Sequence, residues 1–338
     1  MGVIKKSTLF NILQYLFFSG LGIVLLYLAF RSIDYQSLLN SLLSTRYDLL
    51  LVSLGFGLLG MLGRSYRWVL MIEPLGYQVR LQSAYHALMI GYTANYAFPR
   101  IGEITRCGVL NRTEKIPADA LIGTVIAERA WDVIMLGILT ITVILFKLKT
   151  FGQFFHEKII IPLSEKFHWI LSISVYGWIL IALVLLVAMM MVLMYRHTIR
   201  EYMLRGKVGQ FGYGIYQGVK SVLKLKRRVR FLGVTLFIWL VYILMTYFAL
   251  KAMKATHSLN FIDAFFIMVV GSYGFVVPVQ GGIGTYHAIV ALGLSLYAIT
   301  WNDALAYALL SHGSQAISII LLGLLSMLTL ALRKNNNQ

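Results

Sequence analysis

The chain has 338 residues, 59% of them hydrophobic and only 13% charged, with a mean hydropathy of +0.77 and a formal net charge of +17. Continuous apolar runs of about 20 residues, the length that spans a bilayer, recur along it, which excludes a soluble fold and a β-barrel with its alternating strands. Cys107 is the only cysteine, so no internal disulfide or thiolate metal cluster is possible, and the basic residues border apolar runs without forming any nucleic-acid module.

In chain order, spanning helices are predicted at roughly 10–31, 47–72, 118–146, 168–195, 230–251 and 303–332. The first follows Lys5 and Lys6 without a small-residue cleavage site and reads as a retained helix, not a signal peptide. In the second, Gly57, Gly60 and Gly63 predict a close-packing face. Between the second and third spans lies Leu81 to about Arg112, broken at Pro99. Between the fifth and sixth lies Phe261 to about Thr300, broken at Pro278. Each arm is short for a full crossing, so each segment reads as a re-entrant helical hairpin; two ordinary helices are the alternative, chiefly for the second segment. No segment offers a second, soluble domain. The expectation is one all-α polytopic membrane domain over 1–338.

The two broken segments repeat. Ala84 to Gly91 followed by Pro99 and Gly102 matches Ala264 to Gly271 followed by Pro278 and Gly281, and an Asp-Ala-Leu at Asp119 and at Asp303 opens the next apolar run. Duplicated interruptions in two halves point to a transporter's substrate site. With a cytoplasmic N-terminus, most of the 30 lysines and arginines fall on the cytoplasmic side, Arg64 and Arg67 counted among them, as the positive-inside rule requires. Three spans per half then place halves 1–150 and 151–338 in opposite orientations, an inverted-topology repeat with both termini cytoplasmic. The stretch 196–230 is dense in Lys and Arg, with Glu201 its single acid. It marks the cytoplasmic side, or forms an interfacial helix drawn to anionic lipid.

Charge at membrane depth is expensive and marks candidate function. Arg100, Glu103 and Arg106 recur at three-residue spacing after Pro99, which predicts one side of the following helix. Glu128 and Asp132 share a face of the third span, with Arg129 beside them; they are either functional or ion-pair glue between helices. The second break is uncharged and carries Gln280, Gly281, Gly282 and Gly284, followed by His287. A glycine-rich break presents backbone N–H groups, and guanidinium groups bind phosphate oxygens bidentately, so the set suits a phosphate-bearing ligand. Glu103, Glu128 and Asp132 would hold the arginines or contact a cationic headgroup. His287 and His312, the latter aligned with Glu128 in the repeat, are candidate proton carriers or packing residues, as is His86.

Pro99-Arg-x-Gly-Glu103-x-x-Arg106, then Glu128-Arg129-x-x-Asp132, then Pro278-x-x-Gly281-Gly282-Ile-Gly284, with Arg67-Trp68 late in the second span, resemble the lysylphosphatidylglycerol synthase transmembrane (flippase-like) family. The resemblance implies a lipid translocase of the cytoplasmic (inner) membrane. Its cargo would be an anionic phospholipid, an aminoacyl-phosphatidylglycerol or a polyprenyl-phosphate lipid. Two features are expected to set it apart: the soluble aminoacyl-transferring domain of the family's two-part enzyme is not expected here, and His287 stands where an acid commonly follows the glycine turn. Neither a P-loop nor a metalloprotease, serine-hydrolase or dinucleotide motif is present, so no enzyme activity and no cofactor are expected. The competing readings are an integral-membrane transferase acting on a lipid-linked sugar or phosphate, with Glu103 or Asp132 as base, and a passive scaffold. A homo-oligomer is compatible with the sequence.

Overall fold

Long apolar runs without internal proline give long helices, and prolines end them. The computed structural model describes residues 34–155 and 227–335, together with 20, 24, 27 and 225. The predicted spans at 10–31, apart from three of its residues, and at 168–195, with nearly all of the basic stretch 196–230, lie outside the described residues. Nine α-helices are described: α1 Tyr35–Leu43, α2 Tyr47–Ile72, α3 Leu81–Ala97, α4 Ile101–Glu114, α5 Ala118–Phe155, α6 Arg228–Ala252, α7 Phe261–Gly274, α8 Thr285–Ser295 and α9 Trp301–Asn335. No strand occurs among the described residues.

Helices α2, α5, α6 and α9 are each long and apolar enough to cross a membrane. Pro74 stops α2 in a 3-10 turn capped by Gly76 in the left-handed region. Helix α9 starts at a local cap in which the Asp303 N–H donates to Thr300 Oγ1 (3.2 Å) and the Thr300 hydroxyl donates back to Asp303 Oδ2 (2.7 Å). The other helices are shorter. At 1.5 Å per residue, the 17 residues of α3, 14 of α4, 14 of α7 and 11 of α8 reach about 16–26 Å, less than the ~30 Å hydrocarbon core.

The short helices pair as α3 with α4 and α7 with α8. In the first pair the backbones touch: a Cβ at Gly91 would lie 2.7 Å from the Gly102 carbonyl oxygen. Asn95 Oδ1 accepts the Gly102 N–H at 2.7 Å and ties the arms across the Pro99 break. In the second pair, Tyr286 of α8 packs into the space left by Gly271 and Gly274 of α7. An Asn260–Asp263 capping box starts α7, and the Thr285 hydroxyl donates to the Gly274 carbonyl at 2.7 Å.

The two halves join most closely along α2 and α6. The predicted Gly57, Gly60 and Gly63 face does pack tightly there: a Cβ would meet Met245 Sδ at 3.2 Å, the Tyr242 ring at 2.7 Å and Ile238 at 2.9 Å, respectively. The Ser53 hydroxyl adds a 2.7 Å hydrogen bond to the Met245 carbonyl. Each pair of short helices sits over its own apolar core, one built on Trp68, Ala84, Leu110 and Leu121, the other on Leu250, Ala264, Val290 and Leu305. Ala84 and Ala264, aligned by the sequence repeat, are fully buried in the respective cores.

Candidate functional site

Two polar groupings form inside this helical frame. The first begins with α5, whose Glu128 and Asp132, one turn apart, face α2. Helix α2 answers with Arg64 and Arg67, three residues apart on the matching face. Arg64 Nη2 lies 2.8 Å from Glu128 Oε1 and 3.0 Å from Asp132 Oδ2; Arg67 Nη2 lies 2.7 Å from Asp132 Oδ1 and 3.3 Å from Glu128 Oε1. From α4, Arg106 Nη2 reaches Glu128 Oε2 at 2.8 Å. Arg106 also lies over the Trp68 ring at 4.7 Å, and Trp68 is fixed by a 2.9 Å hydrogen bond from its Nε1–H to Thr124 Oγ1. Arg129 closes the ring of charges, 3.1 Å from Glu103 Oε1 on α4 and 3.9 Å from Asp132 Oδ2.

The cluster is unbalanced. Four arginines face three carboxylates, and the Nε groups of Arg64, Arg67, Arg106 and Arg129, with Nη1 of Arg67 and Arg106, are buried without an acceptor among the described residues. Paired charge in a low-dielectric interior needs every donor satisfied to break even, so this is a site of surplus positive potential. It also has a sealed end and an open end. The side chain of Glu128 is 0% exposed and that of Arg106 3%, whereas Glu103 is 26% and Arg129 40% exposed.

The second grouping surrounds the break between α7 and α8. After Pro278 the chain forms a 3-10 turn over Gln280–Gly282, with Gly281, Gly282 and Gly284 all at positive φ. Two buried imidazoles clasp it. His312 Nε2–H donates to the Gly281 carbonyl at 2.9 Å, and His287 Nδ1 accepts the Gly284 N–H at 3.3 Å, with the two rings 5.0 Å apart. Tyr96 from the first hairpin lies so close that a Cβ on Gly281 would stand 2.4 Å from its ring.

The expected one-sided row of Arg100, Glu103 and Arg106 is only partly formed. Glu103 and Arg106 both turn to α5, but Arg100 precedes α4 as its N-cap, with φ of 60°, and donates from Nη2 to the Val276 carbonyl at 3.1 Å. The break runs one residue longer than the spacing predicts, which rotates Arg100 toward the second hairpin. The sequence-predicted residues thus collect in two places. Glu103, Arg106, Glu128, Arg129 and Asp132 form the ion cluster; Gln280, Gly281, Gly282, Gly284 and His287 form the turn; Arg100 and Tyr96 link the two hairpin tips.

Arg64 and Arg67, which sequence counting uses only as markers of the cytoplasmic side, belong to the cluster. The available signal was their three-residue spacing inside an apolar run, matching the four-residue spacing of Glu128 and Asp132. A second buried ion pair also escaped the sequence reading: Lys147 of α5 donates to Asp263 Oδ1 on α7, with the Lys147 ammonium 5.3 Å from the Tyr297 ring centre. His86 is half-buried, with Nδ1 3.0 Å from the Ser326 hydroxyl, apart from both groupings.

The chain is 26% identical over 144 residues to a UPF0104 membrane protein of Methanocaldococcus jannaschii; the match covers 42% of this chain and 40% of that protein. The aligned part thus spans less than half the length of that curated relative. No solved structure matches the chain. The family model described as the lysylphosphatidylglycerol synthase TM region matches residues 11–323, nearly the whole chain. A membrane protein with several apolar spans and only helices as regular structure among its described residues, this chain belongs to the lysylphosphatidylglycerol synthase transmembrane family.

Proposed function

We propose that the protein is a lipid translocase of the cytoplasmic membrane, moving a phospholipid or lipid-phosphate headgroup through a polar path between the two hairpins. The observation that carries this reading is the unbalanced ion cluster: surplus guanidinium donors, buried among apolar spans, call for an anion. The sealed members, Glu128 with Arg64, Arg67 and Arg106, hold the potential in place. The open members, Glu103 and Arg129, meet the headgroup, Arg129 taking phosphate oxygens and Glu103 releasing it as they bind.

Arg100 acts at the tip. Its guanidinium moves from the Val276 carbonyl to the incoming phosphate, which uncouples the first hairpin from the second. The turn from Gln280 to Gly284 supplies backbone donors, and acyl chains stay in the bilayer. Short helix arms, glycine contacts in both pairs and a separate apolar core under each support two re-entrant hairpins in an inverted repeat, and the bias of basic residues supports cytoplasmic termini. No ATPase motif accompanies these parts, so movement would be passive, coupled to ions or protons, or dependent on a partner.

The test is reconstitution in liposomes containing phosphatidylglycerol with a fluorescent acyl chain, with leaflet exchange followed by quenching of the outer leaflet. Glu103→Gln is expected to slow exchange about tenfold or more, the equivalent of ~1.4 kcal/mol in barrier, while the melting temperature in detergent stays put. Wild-type exchange in this variant, or no exchange by the wild-type protein, overturns the proposal.

A further inference from the structure

Away from both polar groupings, a cleft of about 240 Å³ opens between α2, α3 and α9, lined by Leu62, Leu81, Gln82, Tyr85, His86 and Arg333. Arg333 ends the apolar stretch of α9, so it marks the level where hydrocarbon meets headgroups. Its Nη2 donates to Gln82 Oε1 at 3.0 Å, at the start of α3. Two helical turns deeper, about 10 Å along α9, Ser326 meets His86 Nδ1 at 3.0 Å. Leu62, 44% exposed, forms an apolar wall that lies about 15 Å below the end of α2.

This is an amphiphile's shape in reverse. A cation, an amide and Leu81 sit at the interface, an imidazole and a phenol sit below them, and Leu62 lines the inner side. Polar side chains that open toward hydrocarbon at such depth are costly unless a polar ligand meets them. The only formal charge among the lining residues is the positive one on Arg333, and no carboxylate lines the cleft.

We infer that this cleft is a lateral binding site for an anionic phospholipid, whose phosphate is held by Arg333 beside Leu81, with His86 and Tyr85 below it, and whose acyl chain lies on Leu62. The inference does not rest on translocation: a lipid can be held here whether or not the protein moves one.

The experiment uses the full chain in detergent micelles doped with phosphatidylglycerol carrying a photoreactive acyl chain, followed by peptide mapping of the label. Label is expected on the peptides containing Leu62 and His86, falling about fivefold in Arg333→Gln, the fold-change for one base beside an anionic surface. Leu62→Trp, which fills the apolar end without altering charge, is expected to abolish label on the peptide containing His86. Diacylglycerol with the same photoreactive chain should label these peptides no more than other lipid-facing ones, and inorganic phosphate should not compete. Equal labelling by diacylglycerol, or undiminished labelling in Arg333→Gln, would reduce the cleft to ordinary acyl contact and overturn the inference; so would displacement by inorganic phosphate, which would mark a free-anion site. Melting temperatures of both variants, whose altered side chains are exposed, separate a lost site from a lost fold.

Discussion

The two broken hairpins share a skeleton and differ in what steadies it. In each, a proline interrupts an apolar segment, a glycine lets the arms touch, and an aligned alanine is buried in the core beneath. The first hairpin is then held by charge: Glu103 and Arg106 of its second arm are tied to Arg129 and Glu128 of α5. The second is held by neutral groups: His287 and His312 clasp its glycine turn, and Tyr286 fills the glycine gap. Position 312, which the repeat aligns with Glu128, carries an imidazole bound to a backbone carbonyl in place of a carboxylate bound to three arginines. The same scaffold thus has one electrostatic side and one side made of backbone and rings.

The sharpest way to break that comparison is to exchange both aligned residues for glutamine. Glu128→Gln leaves Arg64, Arg67 and Arg106 buried without their shared carboxylate, and removal of one partner from such a cluster costs on the order of 3–5 kcal/mol. The matched change His312→Gln removes one hydrogen bond to Gly281 and should cost only about 1 kcal/mol. Thermal melting in detergent measures both. Equal losses would mean that the two sides are held in the same way.

A smaller effect is expected at the contact between the tips. Gly281→Ala introduces a Cβ at φ of 54° and drives it into the Tyr96 ring, for a loss of about 1–3 kcal/mol. Gly123→Ala, on α5 with nothing within 4 Å of the added Cβ, should be neutral or slightly stabilising, by up to ~1 kcal/mol. A melting temperature unchanged by Gly281→Ala would show that Tyr96 and the turn do not bear on each other.

The described spans were legible because hydrophobicity over 25 or so residues is a local property: Tyr47–Ile72 begins and ends where the apolar run does. The breaks were legible because proline cannot donate to the helical ladder. The face shared by Glu128 and Asp132 was legible from its four-residue spacing, as was the glycine series that packs on α6. What could not be read was which distant helix supplies the partners. Arg64 looked like a rim base because charge counting treats each residue near a span end alike, yet its neighbours are chosen by how α2 packs on α5. Lys147 and Asp263 are 116 positions apart, and only the docking of α7 on α5 brings them together. Arg100 was misdirected by a one-residue question, namely whether helix resumes at 100 or 101, which lies within the usual uncertainty of a boundary.

That residue also offers a small stability effect and the cleanest separation of roles. Arg100 occupies the left-handed region, a conformation that costs a non-glycine residue roughly 1–2 kcal/mol, and makes one exposed hydrogen bond to Val276, worth about 0.5–1.5 kcal/mol. In Arg100→Gly the relieved strain and the lost bond offset each other, so the melting temperature should move by no more than the equivalent of ~1 kcal/mol. Lipid exchange in liposomes, by contrast, should fall about tenfold or more, because the guanidinium that reaches from one hairpin tip to the other is gone. A variant that melts normally and exchanges lipid normally would leave Arg100 with no part in transport. One that melts much lower would make it a structural tie between the hairpins, and the charged side of the comparison would then begin at Glu103.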